Sequence, residues 1–142
     1  MRTEALNVLQ DMLIRHEGFK LKAYLCTGGK ITIGIGRNLE DNGISEDEAY
    51  SMLASDIKKS LRDAETFTWF NGLSEPRQIV IIDMIFNLGR KKFSEFKQML
   101  SALERSDFNT AAREMISSQW SKQVGKRSIE LASIMKTGMF QK

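Results

Sequence analysis

Three side chains that can take part in chemistry lie at short spacings near the start of the chain. Glu17 is followed by eight residues and then Cys26, and five further residues separate Cys26 from Thr32. A carboxyl group can give or take a proton, a thiol can act as a nucleophile or weak base, and a hydroxyl can both donate and accept a hydrogen bond. These groups form a candidate reactive site if the fold brings them together.

A helix end and a neighbouring hairpin would position these side chains. Apolar residues at helical spacing predict a first helix over residues 3–16, with Gly18 as its cap and Glu17 at its last turn. Residues 21–36 contain two extended stretches around a Gly-Gly turn, and the second alternates β-branched residues with small or polar ones. Because a helix end and two hairpin positions can converge in space, we expect the three groups to face one cleft.

Most of the remaining chain has a helical pattern. Ser45 and Glu48 form a capping box that predicts a bridging helix from Ser45 to about Phe67. Ser74 and Pro76 are typical of a helix start, and the nearly all-apolar residues 78–88 predict a buried central helix. Three further helices are predicted over residues 94–105, 108–118 and 128–136, with a solvated loop at Arg90-Lys91-Lys92.

These elements predict an α+β, mostly helical fold with a small N-terminal β-hairpin or sheet lobe, a bridging helix and an all-helical C-terminal lobe. A length of 142 residues suits one domain, so we predict a single domain over residues 1–142. One lobe is expected at about 13–60, and the other is expected to combine 1–12 with 61–142. A binding cleft is expected between the lobes.

The composition restricts the class of protein without choosing a function. Hydrophobic residues make up 42% and charged residues 27% of the chain, as in ordinary soluble proteins. The net charge of +3 favours an anionic polymer such as cell-wall glycan, nucleic acid or a membrane surface. One cysteine excludes an internal disulfide, and with one histidine and no cysteine cluster no metal site is expected. The first residues lack the apolar core of a signal peptide, and no apolar run approaches the roughly 18 residues of a membrane span.

The reactive stretch and two later segments resemble the phage-type lysozymes, endolysins of the T-even phage lysozyme kind. That family's pattern is Glu, eight residues, Asp or Cys, five residues and Thr, with the Thr in T-[IVL]-G-x-G, which is Thr32-Ile33-Gly34-Ile35-Gly36 here. Phe86-Asn87-Leu88-Gly89 is similar to the family's Phe-[NQ]-x-Gly, and the segment from Trp120 to Arg127 fits W-x-x-Q-x-x-x-R. The resemblance covers nearly the whole chain and is loose outside these segments.

The resemblance implies a lysozyme-like two-lobed fold and a muramidase. Such an enzyme hydrolyses the β-1,4 bond between N-acetylmuramic acid and N-acetylglucosamine in peptidoglycan and needs no cofactor. Glu17 would be the general acid, and protonation near neutral pH would require burial to raise its pKa above the usual ~4.3. Cys26, where many relatives have Asp, and Thr32 would position a water in an inverting reaction.

The resemblance also implies roles for residues later in the chain. Phe86, Asn87 and Arg127 are expected to bind substrate in the sugar cleft. Arg127 is expected to lie near Glu17, where it would orient the carboxyl and lower its pKa. A structural ion pair is expected between Arg37 and Asp56.

The expected setting is host lysis by a phage. The protein would be a monomer made in the host cytoplasm, and a holin-type permeabilising protein would let it reach peptidoglycan. Neither a nucleic-acid partner nor a membrane span is expected. Two alternatives remain: a lytic transglycosylase of the same fold, which forms an anhydro-sugar without water, or a wall-binding module whose catalytic site has decayed. A nucleic-acid binder ranks behind both because the positive charges are scattered.

Overall fold

The computed structural model describes residues 1–140, and the chain divides into two compact units. The first unit is Met1–Ser51, and the second begins at Met52. This division falls within a long helix, α3, which spans Glu46–Glu65. The lobe boundaries derived from the sequence stay a prediction.

The first unit contains a helix, a small antiparallel sheet and a short helical turn. Its elements are α1 (Thr3–Glu17), β1 (Lys20–Leu25), β2 (Ile31–Gly34), β3 (Arg37–Asn38) and α2 (Leu39–Asn42). The strand order is β1-β2-β3, with Tyr24 opposite Thr32 and Ile33 opposite Arg37. Helix α1 ends as predicted at Gly18, which has a φ of 85° and donates its N–H to the Ile14 carbonyl oxygen.

Packing is sparse in the first unit. Helix α1 has no buried residue, and Leu6, Leu9, Met12 and Leu13 of its apolar stripe are all exposed. Among the described residues of this unit, Thr32 is the one classed as buried, at 3% exposure. Hydrogen bonds and turn geometry therefore account for most of the local order that positions its side chains.

The start of α3 is tied to the sheet through one carboxylate. The predicted capping box is present: the Glu48 N–H donates to Ser45 Oγ at 3.1 Å, and the Ser45 N–H donates to Glu48 Oε1 at 2.8 Å. Arg37 on β3 donates from Nη1 and Nη2 to the two Glu48 oxygens, at 2.9 and 2.6 Å. The capping box holds the Glu48 carboxylate where the guanidinium can bind it with both nitrogens. The expected Arg37–Asp56 pair stays a prediction.

The second unit is helical in its described part. After a 3₁₀ turn at Phe70–Gly72, the helices are α4 (Glu75–Leu88), α5 (Arg90–Phe93), α6 (Lys97–Glu104), α7 (Phe108–Ile116), α8 (Gln119–Val124) and α9 (Lys126–Thr137). Val80, Ile81, Met84 and Ile85 of α4 are buried, which confirms the predicted central helix. Methionines contribute strongly to the core: Met84, Met99, Met115 and Met135 are each 0% exposed.

The short helices are where the sequence-based assignment was wrong. The basic run expected as a loop forms α5, because Phe93 at its end is buried in the core. Helix α6 begins at Lys97 and not at residue 94, since Phe96 has a non-helical ψ of 59°. Helix α8 was missed, and α9 begins two residues before the predicted start at Ser128.

Arg77 secures the end of α9. Its guanidinium stacks on the Phe108 ring at 3.6 Å, and its Nε and Nη2 donate to the carbonyl oxygens of Met135 and Lys136 at 2.8 and 3.1 Å. Carbonyls in the last turn of a helix lack intrahelical partners, so these bonds satisfy groups that water would otherwise have to reach.

The predicted α+β, mostly helical fold class is confirmed by the sheet in the first unit and the helices that follow it. Over residues 1–140, no helix combines the length and apolar character that crossing a membrane requires.

We expect Glu48→Gln to lower the melting temperature above about pH 5 and to have little effect near pH 2. The pKa of the Glu48 carboxyl is lowered to about 2, first by hydrogen bonds from Arg37 and then by those from Ser45. A carboxyl whose folded pKa lies below its ordinary 4.5 stabilises the fold above pH 4.5, and the contribution is lost as the pH falls towards 2. Thermal unfolding of both proteins across this pH range measures the effect.

Glu46→Gln is the matched control because Glu46 lies in the same first turn of α3 and is exposed. A melting-temperature difference between wild type and Glu48→Gln that does not change with pH would contradict the expectation.

Candidate active site

The carboxylate of Glu17 lies against the backbone of Gly36. A Cβ built on Gly36 would come within 2.5 Å of Glu17 Oε2 and 2.8 Å of Glu17 Cδ. Gly36 also has a φ of 69°, in the left-handed region that side-chain-bearing residues rarely adopt. Only glycine meets both conditions, so the second glycine of the T-I-G-I-G segment is explained by its contact with the predicted acid.

The turn that carries Gly36 connects β2 to β3. Ile33 pairs with Arg37 across the turn, and both Gly34 and Gly36 have positive φ, at 71° and 69°. Because Arg37 is bound to Glu48, the residue next to Gly36 is fixed by the start of α3. Glu17 is itself exposed, so the burial expected for a general acid is not observed.

Cys26 lies in the tight turn between β1 and β2. Its N–H donates to the Lys30 carbonyl oxygen at 3.0 Å, and the Gly29 N–H donates to the Cys26 carbonyl oxygen at 2.9 Å. The thiol is half-buried. Hydrogen bonds from the Lys30 backbone N–H, the Thr32 hydroxyl and the Gly28 backbone N–H, in that order, lower the pKa of the thiol from its ordinary 9.0. This environment favours the thiolate, the reactive form of cysteine.

Thr32 is brought next to Cys26 by the strand register. Tyr24 lies opposite Thr32, and Cys26 follows two residues after Tyr24, which puts it on the same face. The Thr32 hydroxyl hydrogen has two possible acceptors, the Lys30 carbonyl oxygen at 2.9 Å and the Cys26 sulfur. A negatively charged sulfur is the stronger acceptor, so ionisation of Cys26 would turn the hydroxyl towards it.

The first unit thus presents a carboxylate and a thiol–hydroxyl pair from one small sheet and the helix before it. The strand register places Cys26 and Thr32 next to each other, and Glu17 at the end of α1 lies against the turn at the other end of β2. Such an arrangement can supply a proton donor and a group that orients water. The catalytic roles of Glu17, Cys26 and Thr32 stay predictions.

Phe86 and Asn87 lie near the end of α4 in the second unit. Phe86 is 42% exposed, so the aromatic ring can meet a ligand. The Asn87 side-chain oxygen accepts a hydrogen bond from Trp120 Nε1 at 2.7 Å, which turns the amide nitrogen away from the indole. Trp120 packs edge-on against Phe96, with ring centroids 6.1 Å apart. The sequence motif indicated Trp120, but its contact with Asn87 was not predicted.

Arg127 is engaged by a residue that the sequence reasoning missed. Its Nε and Nη2 lie 2.9 and 2.8 Å from Asp83 Oδ1 on α4. Asp83 lies three residues before Phe86 on α4, a spacing that puts both side chains on one side of the helix. This spacing is the sequence signal that could have identified Asp83. The expected pairing of Arg127 with Glu17 stays a prediction.

Two cavities in the second unit adjoin these residues. One of about 690 Å³ is lined by Trp120, Leu88, several glutamines and the lysines at positions 91, 92 and 97. The other, of about 390 Å³, is lined by aliphatic side chains together with Phe86, Asp83 and Arg127. In the part of the chain that the structure describes, no group of three His, Cys, Asp or Glu side chains could hold a metal ion.

The chain is similar to known proteins of one family. The phage lysozyme family model matches residues 14–135, a range that contains every candidate site residue. The chain is 29% identical to the probable T4-type lysozyme 2 of Dictyostelium discoideum, over 92% of this chain and 94% of that protein. It is 29% identical to an endolysin of Acyrthosiphon pisum secondary endosymbiont phage 1, over 82% of this chain and 81% of that protein.

A further relative shows the same region as part of a longer chain. The pre-baseplate central spike protein Gp5 of Enterobacteria phage T4 is 26% identical over 92% of this chain, which corresponds to 28% of Gp5. Since the family model covers most of its length, this chain belongs to the phage lysozyme family, and that membership supports a lysozyme-type enzyme that hydrolyses peptidoglycan.

Proposed function

We propose that the chain is a muramidase that hydrolyses the β-1,4 bond between N-acetylmuramic acid and N-acetylglucosamine. The observation that carries the proposal is the contact of the Glu17 carboxylate with Gly36, within the region that the phage lysozyme family model matches. The Cys26–Thr32 pair of the same unit supports it, because glycoside hydrolysis needs a second group at the anomeric carbon.

Glu17 is the proposed general acid. It gives its proton to the glycosidic oxygen as the bond from that oxygen to the anomeric carbon breaks, and it becomes a carboxylate. The carboxyl is exposed, so a saccharide can reach it from solvent. Contact with Gly36 restricts where the carboxyl can lie while the substrate binds.

Cys26 and Thr32 are proposed to hold the attacking water. The water oxygen bonds to the anomeric carbon from the face opposite the leaving oxygen, and its proton passes to the Cys26 thiolate. The lowered pKa of Cys26 supports a thiolate that can accept this proton. Proton exchange with solvent returns both groups to their starting states, and the product has the inverted configuration.

Phe86, Asn87 and Arg127 are the proposed saccharide-binding residues. Phe86 offers an exposed apolar face, while Asn87 and Arg127 offer N–H donors whose directions are set by Trp120 and Asp83. Donors of fixed direction suit the acetamido and hydroxyl oxygens of amino sugars.

We also propose that the protein acts as a monomer in phage-mediated lysis, after a holin-type protein releases it from the host cytoplasm. One relative is named an endolysin of a phage, and this chain spans 81% of it.

The acid assignment predicts that Glu17→Gln lowers hydrolysis by about 100-fold or more, because an amide cannot give the required proton. Release of reducing ends from purified peptidoglycan measures the rate. Glu4→Gln is the control, since Glu4 is an exposed glutamate at the other end of α1, and it should cut at the wild-type rate.

Full activity in Glu17→Gln would remove Glu17 from the mechanism. Products lighter by one water, with an anhydro end, would favour the transglycosylase. Binding without any cut by the wild type would favour the wall-binding module. First-formed sugars that keep the β configuration would exclude the inverting route.

Gly36→Ala is expected to lower the rate by about 100-fold, since the new methyl group would overlap the Glu17 carboxyl and displace it. Gly43→Ala is the matched control: Gly43 has a similar φ of 60°, but nothing lies within 4 Å of the position that its added methyl group would take. Both variants carry the same kind of backbone strain, so equal losses of activity would show that strain and not displacement of Glu17 is responsible.

Thr32→Val is expected to raise the pKa of the Cys26 thiol, because the valine removes one of the hydrogen bonds that favour the thiolate. The rate of alkylation by iodoacetamide as a function of pH reports this pKa, and Cys26 is the one cysteine that can react. Wild type should reach half its maximal rate below pH 9.0, and Thr32→Val at a higher pH than wild type. Coincident curves would show that the hydroxyl does not act on the sulfur.

A further inference from the structure

The Arg127–Asp83 ion pair occupies only one edge of the guanidinium. Nε and Nη2 both approach the same oxygen, Asp83 Oδ1, and Nη2 makes a longer contact of 3.5 Å to the Asp83 backbone oxygen. Within the described residues of the second unit, Nη1 donates no hydrogen bond. Because the guanidinium is planar, fixing one edge also fixes the direction of the Nη1 donors.

The pair lies in apolar surroundings that a ligand can reach. Asp83 and Arg127 are the charged residues in the lining of the 390 Å³ cavity, and the other lining side chains are aliphatic apart from Phe86. Both charged side chains are 38% exposed. Asp83 and Phe86 are three residues apart on α4, so they project from the same side of the helix. An aromatic face and a directed pair of donors therefore share one surface.

We propose that Asp83 is a positioning residue that holds Arg127 so that Nη1 donates to an uncharged carbonyl oxygen of the saccharide beside Phe86. The Asp83 carboxylate offsets the guanidinium charge, so the pair has no net charge to attract a carboxylate. An oriented N–H donor without net charge suits an acetamido carbonyl oxygen. This inference rests on the proposed function, since the ligand is the glycan assigned there.

A double-mutant cycle on the full chain tests the inference. Initial rates of reducing-end release are measured against peptidoglycan concentration for wild type, Asp83→Ala, Arg127→Ala and the double variant. Asp83→Ala should raise the half-saturating concentration by about 5- to 10-fold and leave kcat within about twofold, because binding and not the chemical step is affected. In the Arg127→Ala background it should have no further effect.

Two variants separate positioning from a general loss of structure. Asp83→Asn keeps an oxygen that accepts from Nε and Nη2, so it should restore most of the wild-type half-saturation. Asp56→Ala removes an exposed aspartate from α3 and should leave both constants unchanged. If Asp83→Ala does not fold, Asp83→Leu takes its place in the cycle, because a leucine suits the aliphatic neighbours.

An unchanged half-saturating concentration in Asp83→Ala, or additive effects of the two substitutions in the double variant, would overturn the inference. The proposed function would still stand if the wild type is active. A wild type that releases no reducing ends would instead contradict the proposed function. In that case, dissociation constants measured by sedimentation with peptidoglycan test the positioning role of Asp83 in the same four proteins. The losses of binding affinity in the two single variants should again be non-additive.

Discussion

One carboxylate, that of Glu48, connects the start of the longest helix to the sheet that carries the candidate site. It completes the capping box with Ser45 and accepts both terminal nitrogens of Arg37. Arg37 follows directly after Gly36, whose bare backbone leaves room for the Glu17 carboxyl. A helix cap, an ion pair and a glycine thus form a continuous series of contacts that ends at the predicted acid.

The two units position their functional side chains by different physical means. In the first unit little is buried, and the arrangement of Cys26 and Thr32 depends on strand register and turn hydrogen bonds. In the second unit a packed helical core supports α4, and polar contacts then orient its exposed groups. The functional groups of the two units also differ. In the first unit the Cys26 thiol can lose a proton, and in the second unit Asn87 and Arg127 present N–H donors of fixed direction.

The sequence was sufficient where a pattern is local. The capping box at Ser45, the end of α1 at Gly18 and the buried face of α4 each depend on residues within a few positions of one another. Helices α5 and α8 were missed because four to six residues are too few for an apolar period to be recognised.

The partners of Arg37 and Arg127 depend on tertiary geometry, which spacing does not encode. The Arg37 guanidinium is bound to the Glu48 carboxylate that the capping box presents, and the sequence did not predict this contact. The pKa of Cys26 likewise depends on N–H groups brought together by the turn and not on neighbours in sequence alone.

The methionine-rich core has a consequence of a different kind. A thioether that solvent does not reach is oxidised by peroxide only when the surrounding chain opens. The rate of sulfoxide formation at the buried methionines would therefore measure how often the core opens; these are Met84, Met99, Met115 and Met135. Met1 and Met139, exposed by 89% and 66%, react from the folded state, and the molecule therefore contains both a probe of its core fluctuations and an internal reference for it.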